Sequence, residues 1–505
     1  MQGVLFARWL KVIGLFCLLH LYSSFLLPQT YAGLGGRASL EQYIKSLSNQ
    51  EGLRGAGIGI SVKYADNGSL ITEYNSKQAL ATASVMKLVT TATAWLTLGE
   101  SFRFITRLQY DGEIVNGVLQ GNLYIRGGGD PTLGSDKFNE TKLDKLLPAM
   151  VNVMQQKGIQ SIQGNIIADD ALFETAMTPA TWNWGDLGNY YGAGASALSI
   201  IDNSYNIYFN SGAQAGDSTI LIKTEPEIPG LELVNEVISG KKGSGDNAYV
   251  FGSEYTSLRY VRGTIPAGEV NFSIKGSIPD PPFYAAWLTK EYFAKEGISV
   301  SGKPTTTRIL KMQRVPFADF SERKELGEIK SPSLMAIIQQ TNIYSNNLYA
   351  EHLHKAVGLK QYGKGSNYNG NEAIKQFWVK RGLSADGWII ADGSGLSRSN
   401  AVSADNLTAL LVQLPKEKGF ENFYQTLPIA GKSGTMRSIG KGTVIENNLR
   451  AKSGSMSLIR GYAGYVKNTK GREIAFAILF NNFTCESKEI REIIETIMIR
   501  IAGVE

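Results

Sequence analysis

Residues 83–91 read Ala83-Ser84-Val85-Met86-Lys87-Leu88-Val89-Thr90-Thr91. Apolar residues Val85, Leu88, Val89, Ala92, Trp95 and Leu96 recur at helical spacing from about Ser84 to Leu98, and Gly99 ends the run. A serine opening a helix and a lysine three residues on share one helical face, about one turn apart. The hydroxyl is then within reach of the amine, and the helix N-terminus favours an oxyanion beside it. Desolvation would hold such a lysine neutral, giving a serine nucleophile a base that is not histidine. Ser239–Lys242, Ser321–Lys324 and Ser438–Lys441 match the same spacing, but in polar or Gly-rich contexts with no amphipathic helix behind them. By itself the pair also fits an N-cap serine and a solvated lysine.

The rest of the chain limits the alternatives. It has 505 residues, 43% hydrophobic and 19% charged, with a net charge of +6, so it is neither disordered nor low in complexity. Its length predicts several domains. Arg8 and Lys11, the apolar run from Val12 to Leu27 and Thr30-Tyr31-Ala32 read as an export signal over residues 1–32, with an uncleaved anchor as the rival reading. A periplasmic or cell-envelope location follows. Beyond the signal only Cys485, His352 and His354 remain of the two cysteines and three histidines. Two histidines at i, i+2 point to different helix faces, so neither a metal site nor a Ser-His-Asp triad is expected, and no cofactor is implied. Gly431-Lys432-Ser433 resembles the end of a phosphate loop, but Thr426 stands where glycine is required. The small positive charge does not argue for nucleic acid. It suits contact with anionic cell-wall polymer or a membrane surface.

A β-hairpin is predicted over 57–75, with Asp66-Asn67-Gly68 at its turn. Residues 105–304 are rich in short β-type runs, and 331–357 return to helical periodicity. Two late strands, about 456–466 and 473–480, precede a terminal helix over 486–502. This order predicts an α+β fold: an antiparallel sheet from both chain ends, covered by one helical layer. The catalytic domain would be discontinuous, 33–104 and 305–505, around an inserted β-rich region at 105–304 that forms one or two subdomains.

Two more elements support Ser84 and Lys87. Ser345-Asn346-Asn347 sits beside a helical pattern and offers a hydroxyl to shuttle a proton and an amide to hold a substrate amide. Lys452-Ser453-Gly454 offers a cation and a hydroxyl for a carboxylate, and a glycine admitting close backbone approach. Lys432-Ser433-Gly434 repeats that tripeptide, but Lys452 is preferred because a strand pair follows it.

The ordered set Ser-x-x-Lys, Ser-x-Asn, Lys-Ser-Gly resembles the signature of the penicillin-recognising serine enzymes. Longer stretches at 83–91, 127–133, 344–351, 392–398, 427–431 and 450–454 are similar to the D-alanyl-D-alanine carboxypeptidase/endopeptidase family, the class C low-molecular-mass penicillin-binding proteins. The resemblance covers about residues 40–500. Asn346 stands where Asp is common and Ser453 where Thr is usual. The likeness implies a penicillin-binding-protein/β-lactamase-like catalytic domain and confirms Lys452 over Lys432. It implies acyl transfer on Ser84 with Lys87 as base, Ser345 relaying the leaving-group proton and Asn347 orienting the substrate. Lys452 and Ser453 would bind the terminal carboxylate, with Lys452 lowering the pKa of Lys87. Backbone N–H groups of Ser84 and Ser455 would form the oxyanion hole. Asp186 and Tyr191 fall where the family contacts the substrate side chain, and there Asp186 suits the free amine of a diamino acid. Peptidoglycan muropeptides are the implied substrate and β-lactams the implied inhibitors. A β-lactamase or esterase of the same fold, and a non-catalytic peptidoglycan-binding scaffold, are the alternatives. The Gly127–Asp130 run is read as a structural turn, and His352 and His354 as surface or packing residues of a helix.

Overall fold

Side-chain alternation builds the centre of the fold. In the strand Glu473–Asn481, Ile474, Phe476, Ile478 and Phe480 enter one apolar cluster, while Ala475, Ala477 and Leu479 enter another. A strand buried on both faces needs a helical layer on each. The computed structural model describes residues 35–505 and supplies both layers. The export-signal reading of residues 1–32 lies outside the described residues.

Five strands form the central antiparallel sheet: β1 (Gly57–Tyr64), β2 (Leu70–Tyr74), β3 (Arg450–Met456), β4 (Ile459–Lys467) and β5 (Glu473–Asn481), in the order β2-β1-β5-β4-β3. β1 pairs along its whole length with β5, so the two chain ends meet at the middle of the sheet. Helices α1 (Gly36–Ser46) and α7 (Ser487–Ala502) cover one face through Leu40, Ile44, Ile490, Ile494 and Ile497. The other face carries α2 (Met86–Leu98), α3 (Leu334–Tyr344), α4 (Asn347–Tyr362), α5 (Asn367–Lys380) and α6 (Ala404–Gln413). The expected single helical layer is therefore two.

Two local expectations also change. The region expected to hold two late strands holds three, because the chain turns at Ser457-Leu458 between β3 and β4. Leu458 adopts a left-handed conformation there (φ 61°), and no Gly, Pro or Asn marks the turn. The helical stretch 331–357 is broken at Ser345 into α3 and α4.

The inserted region leaves and returns through one stem. Phe104 N–H donates to Ser331 Oγ at 2.9 Å, and Ser331 N–H donates to Phe104 O at 3.0 Å. Strand Ile105–Tyr110 pairs antiparallel with Lys324–Lys330, which moves the return from 305 to about 331. Leu326 is the only buried residue of that last strand, so apolar periodicity does not announce it. Within the insert, four small sheets share one continuous apolar core that includes Leu108, Leu119, Ile166, Ile207 and Val261.

The α7 layer makes a stability prediction. Ile497 has no solvent exposure and packs against the central sheet. Ile497→Ala is expected to cost about 2–5 kcal/mol, read as a lower melting temperature.

Candidate active site

The chain enters α2 through a 3-10 turn over Ala83–Val85 that carries Ser84. Ala83 is buried and left-handed (φ 44°), and its carbonyl presses on Gly395, where an added Cβ would lie 1.8 Å from that oxygen. Only glycine fits at position 395, itself at φ 80°.

Lys87 follows one turn later and is wholly buried. Its Nζ lies 2.9 Å from Ser84 Oγ, 2.6 Å from Asn347 Oδ1 and 2.6 Å from the Ser394 carbonyl oxygen. The Asn347 amide orientation is fixed because its Nδ2 donates to Tyr191 O at 2.8 Å. Two of the three partners of Lys87 are therefore oxygens that only accept. A neutral amine gives its two hydrogens to those and leaves its lone pair facing Ser84, the one partner with a proton to give. Burial pushes Lys87 down to about 7, against the opposing pull of Asp392 and Glu351.

Lys452, on β3 at the sheet edge, is also wholly buried. Its Nζ donates to Ser345 Oγ at 3.0 Å and to Ser453 O at 2.8 Å. Burial holds it well below the usual lysine range, and the like charge of Lys87 adds to this. The expectation that Lys452 lowers Lys87 is thus replaced: burial is the leading cause for both amines. Lys432, the rival lysine, is exposed in the preceding loop.

Ser345 joins α3 to α4 in a left-handed conformation (φ 58°, ψ 40°). Asn346 caps α4, accepting from Tyr349 N–H at 3.2 Å. Ser453 Oγ donates to Thr435 Oγ1 at 2.7 Å. Gly454 faces the nucleophile's turn: a Cβ there would lie 2.5 Å from Thr82 O and 3.0 Å from Ser84 N. Along β3, Ala451 N–H donates away from β4 to Pro428 O at 3.1 Å. Alternation turns the N–H of Ser455 to the same free edge, toward the cleft.

Ser84, Ser345, Asn347 and Ser455 line a cavity of about 520 Å³ together with Asp186 and Tyr191. Tyr191 OH donates to Asp186 Oδ1 at 3.2 Å, and burial with the neighbouring Asp186 raises this phenol.

Sequence reasoning missed the residues that hold Lys87 in place. Asp392, wholly buried, accepts from Gly395 N–H and Asn400 Nδ2 on one oxygen, each at 2.6 Å. Its other oxygen accepts from Ser397 N–H at 2.6 Å and Trp182 Nε1 at 2.7 Å. Glu351, also buried, accepts from Ser394 N–H at 2.7 Å and Gly393 N–H at 3.2 Å. Together they fix the loop whose Ser394 carbonyl meets Lys87. Burial raises both carboxyls, Asp392 to about 6. Glu351 lies four residues after Asn347 on the same helical face, a spacing that could have pointed to it.

Of the two readings given for the histidines, surface or packing, the structure gives packing: both are interior. His352 bonds Gly129 O at 2.8 Å and Ser199 Oγ at 2.9 Å, joining α4 to the insert. Burial drives it down to about 3, so it stays neutral. Asp130 closes a local turn, accepting from Thr132 N–H and Oγ.

Comparison with known proteins agrees with this geometry. D-alanyl-D-alanine carboxypeptidase DacB of Haemophilus influenzae is 26% identical over 436 residues, 85% of this chain and 86% of that protein. The D-alanyl-D-alanine carboxypeptidase of Actinomadura sp. (strain R39) is 28% identical over 477 residues, 90% of this chain and 85% of that protein. The crystal structure of penicillin binding protein 4 from Haemophilus influenzae shares the fold, with a TM-score of 0.77 at 24% identity over 91% of this chain and 97% of that one. The sequence pattern of the D-Ala-D-Ala carboxypeptidase 3 (S13) family matches residues 40–502, nearly all that the structure describes, and the chain belongs to that family.

Proposed function

We propose that the chain is an exported serine-type D-Ala-D-Ala carboxypeptidase that cleaves peptidoglycan stem peptides through an acyl-enzyme on Ser84. The observation that carries this reading is the buried amine of Lys87, 2.9 Å from Ser84 Oγ and bound on its other sides by Asn347 and Ser394. Lys87 takes the Ser84 proton as Oγ attacks the carbonyl of the D-Ala-D-Ala bond. The N–H groups of Ser84 and Ser455 receive the oxyanion. Collapse breaks the C–N bond, and Ser345, backed by Lys452, passes its proton to the departing nitrogen and is replenished with the one Lys87 took, which leaves Lys87 neutral again. Lys452 and Ser453 hold the terminal carboxylate, and Asn347 orients the acyl side. Water then attacks the ester, Lys87 takes its proton, and Ser84 is released as the hydroxyl. Asp186 pairs with a free amine on the substrate side chain, with Tyr191 beside it. A bond whose leaving amine belongs to a second stem follows the same steps, which makes cross-bridge cleavage part of the reading. A β-lactam enters as an amide whose leaving group stays tethered and leaves a slowly hydrolysed ester. The apolar segment 12–27 behind Arg8 and Lys11 supports export to the cell envelope.

Benzylpenicillin should add one adduct to the wild-type protein by intact mass and none to Ser84→Ala, whose D-alanine release from a pentapeptide muropeptide falls about 10³-fold or more. An adduct surviving in that variant refutes the assignment. Rapid turnover of a chromogenic β-lactam, in place of a lasting adduct, moves the reading to a β-lactamase.

The pH dependence follows from the lowered Lys87. A depressed amine pKa means the proton is lost once pH exceeds about 7, so acylation rises through that value. Below it, kcat/KM should fall about tenfold per pH unit, measured as the second-order rate of penicillin acylation.

Asp392→Asn puts an amide NH₂ among four donors. The displaced loop is expected to slow acylation about 10²-fold, while far-ultraviolet circular dichroism stays unchanged.

A further inference from the structure

A second cavity, of about 280 Å³, adjoins the catalytic cleft and shares Tyr191, Ser345 and Asn347 with it. One wall is the start of α4, whose free N–H groups favour negative charge. Two lysines face it from the insert. Lys137 is ion-paired with Asp202. Lys275, on strand Phe272–Ser277, is exposed and has no ion-pair partner among the described residues. Tyr190 and Tyr344, 54% and 61% exposed, stand at the opening.

Among the described residues the one carboxylate on the wall, Asp202, is already committed. Asp202 Oδ1 accepts from Tyr349 OH at 2.7 Å, and its other oxygen meets Lys137. The turn that presents it is strained, since Ile201, Asp202 and Asn203 are all left-handed, at φ 53°, 51° and 49°. Buried bonds hold the turn: Asn203 Nδ2 donates to Gly194 O at 2.9 Å and to Ser199 Oγ at 2.8 Å. Strain kept at a cavity wall by its surroundings marks a place whose shape is used. Two cations and a helix start against one satisfied carboxylate leave the cavity net positive, with Lys275 unmatched.

Its position decides which anion fits. The cavity touches Ser345, the residue that hands a proton to the leaving nitrogen in the reading above, and Tyr344 before it. The acyl side is served by the larger cavity with Asp186. We propose that the second cavity is a subsite for a carboxylate on the peptide stem that carries the leaving amine in a cross-linked substrate. A free D-alanine leaving group ends at its own carboxylate, which the reading above gives to Lys452 and Ser453. A cross-linked leaving group continues past that carboxylate into an acidic peptide that can occupy the second cavity. The inference rests on the carboxypeptidase reading and deepens it: Lys275 selects the cross-linked substrate and takes no part in bond breaking.

The test compares D-alanine release from a monomeric pentapeptide muropeptide with cleavage of a cross-linked dimer, both followed by chromatography and mass spectrometry. Lys275→Glu should lower kcat/KM for the dimer about tenfold or more, mainly through KM, and change the monomer rate by less than about twofold. Lys275→Arg should restore the dimer rate. Equal losses on both substrates, or none on the dimer, overturn the subsite. A wild-type protein that trims the monomer and leaves the dimer intact overturns it too, and spares the carboxypeptidase reading. A wild-type protein inert to both overturns that reading, and the subsite with it.

Discussion

Burial of one amine organises this molecule. Lys87 lies with no solvent exposure between a hydroxyl, an amide oxygen and a main-chain carbonyl. An ammonium removed from water loses several kcal/mol of solvation, so the interior selects the neutral form unless a carboxylate faces it directly. Among the described residues no carboxylate does: Asp392 and Glu351 are near enough to oppose the shift, but their hydrogen bonds go to backbone N–H groups and, for Asp392, to the Asn400 and Trp182 side chains as well. Placing those two acids one step back from the lysine lets them fix a loop without forming an ion pair that would hold the proton.

The same arrangement explains why the insert cannot be treated as an appendage. Trp182 supplies one of the four donors to Asp392, and the Tyr191 carbonyl fixes the Asn347 amide. From the other side, buried Lys355 on α4 donates to Ala176 O at 2.8 Å and Ala195 O at 3.1 Å, beside the His352 bonds. Helix α4 therefore faces the nucleophile with its first turn and clasps the insert with its second and third. A disturbance in the insert would reach Lys87 through Asn347, a shorter route than through the sheet.

What the sequence discloses here is local, and what it hides is tertiary. Ser84 and Lys87 are legible because their spacing alone puts them on one helical face, and Asn347 and Lys452 because short motifs carry them. The hairpin and terminal helix are legible through periods of two and 3.6. Asp392 lies in a Gly/Ser-rich stretch whose own N–H and amide groups supply three of its four donors, and only folding brings the fourth, Trp182, from the insert. The histidines could be read as either surface or packing residues of a helix, because their i, i+2 spacing cannot say that α4 is buried on nearly every side. Strand Lys324–Lys330 is hidden by its own polarity, since an edge strand with one buried residue has no apolar pattern to read.

Backbone strain shows where this fold spends its stability. Non-glycine residues at positive φ cost roughly 1–2 kcal/mol each, least for Asn and Asp. Ala83 and Ser345 have no such excuse, and they flank the reacting hydroxyl and the proton relay. Ile201 has none either, and it opens the turn beside the adjoining cavity. Each is held by neighbours that leave it no relaxed alternative: Gly395 against the Ala83 carbonyl, Lys452 on Ser345 Oγ, and Asn203 bonded across the Ile201 turn. A site in which two hydroxyls must meet two buried amines needs sharp corners on both sides of the cleft. The core that closes over α2 and α4 supplies the free energy to keep them.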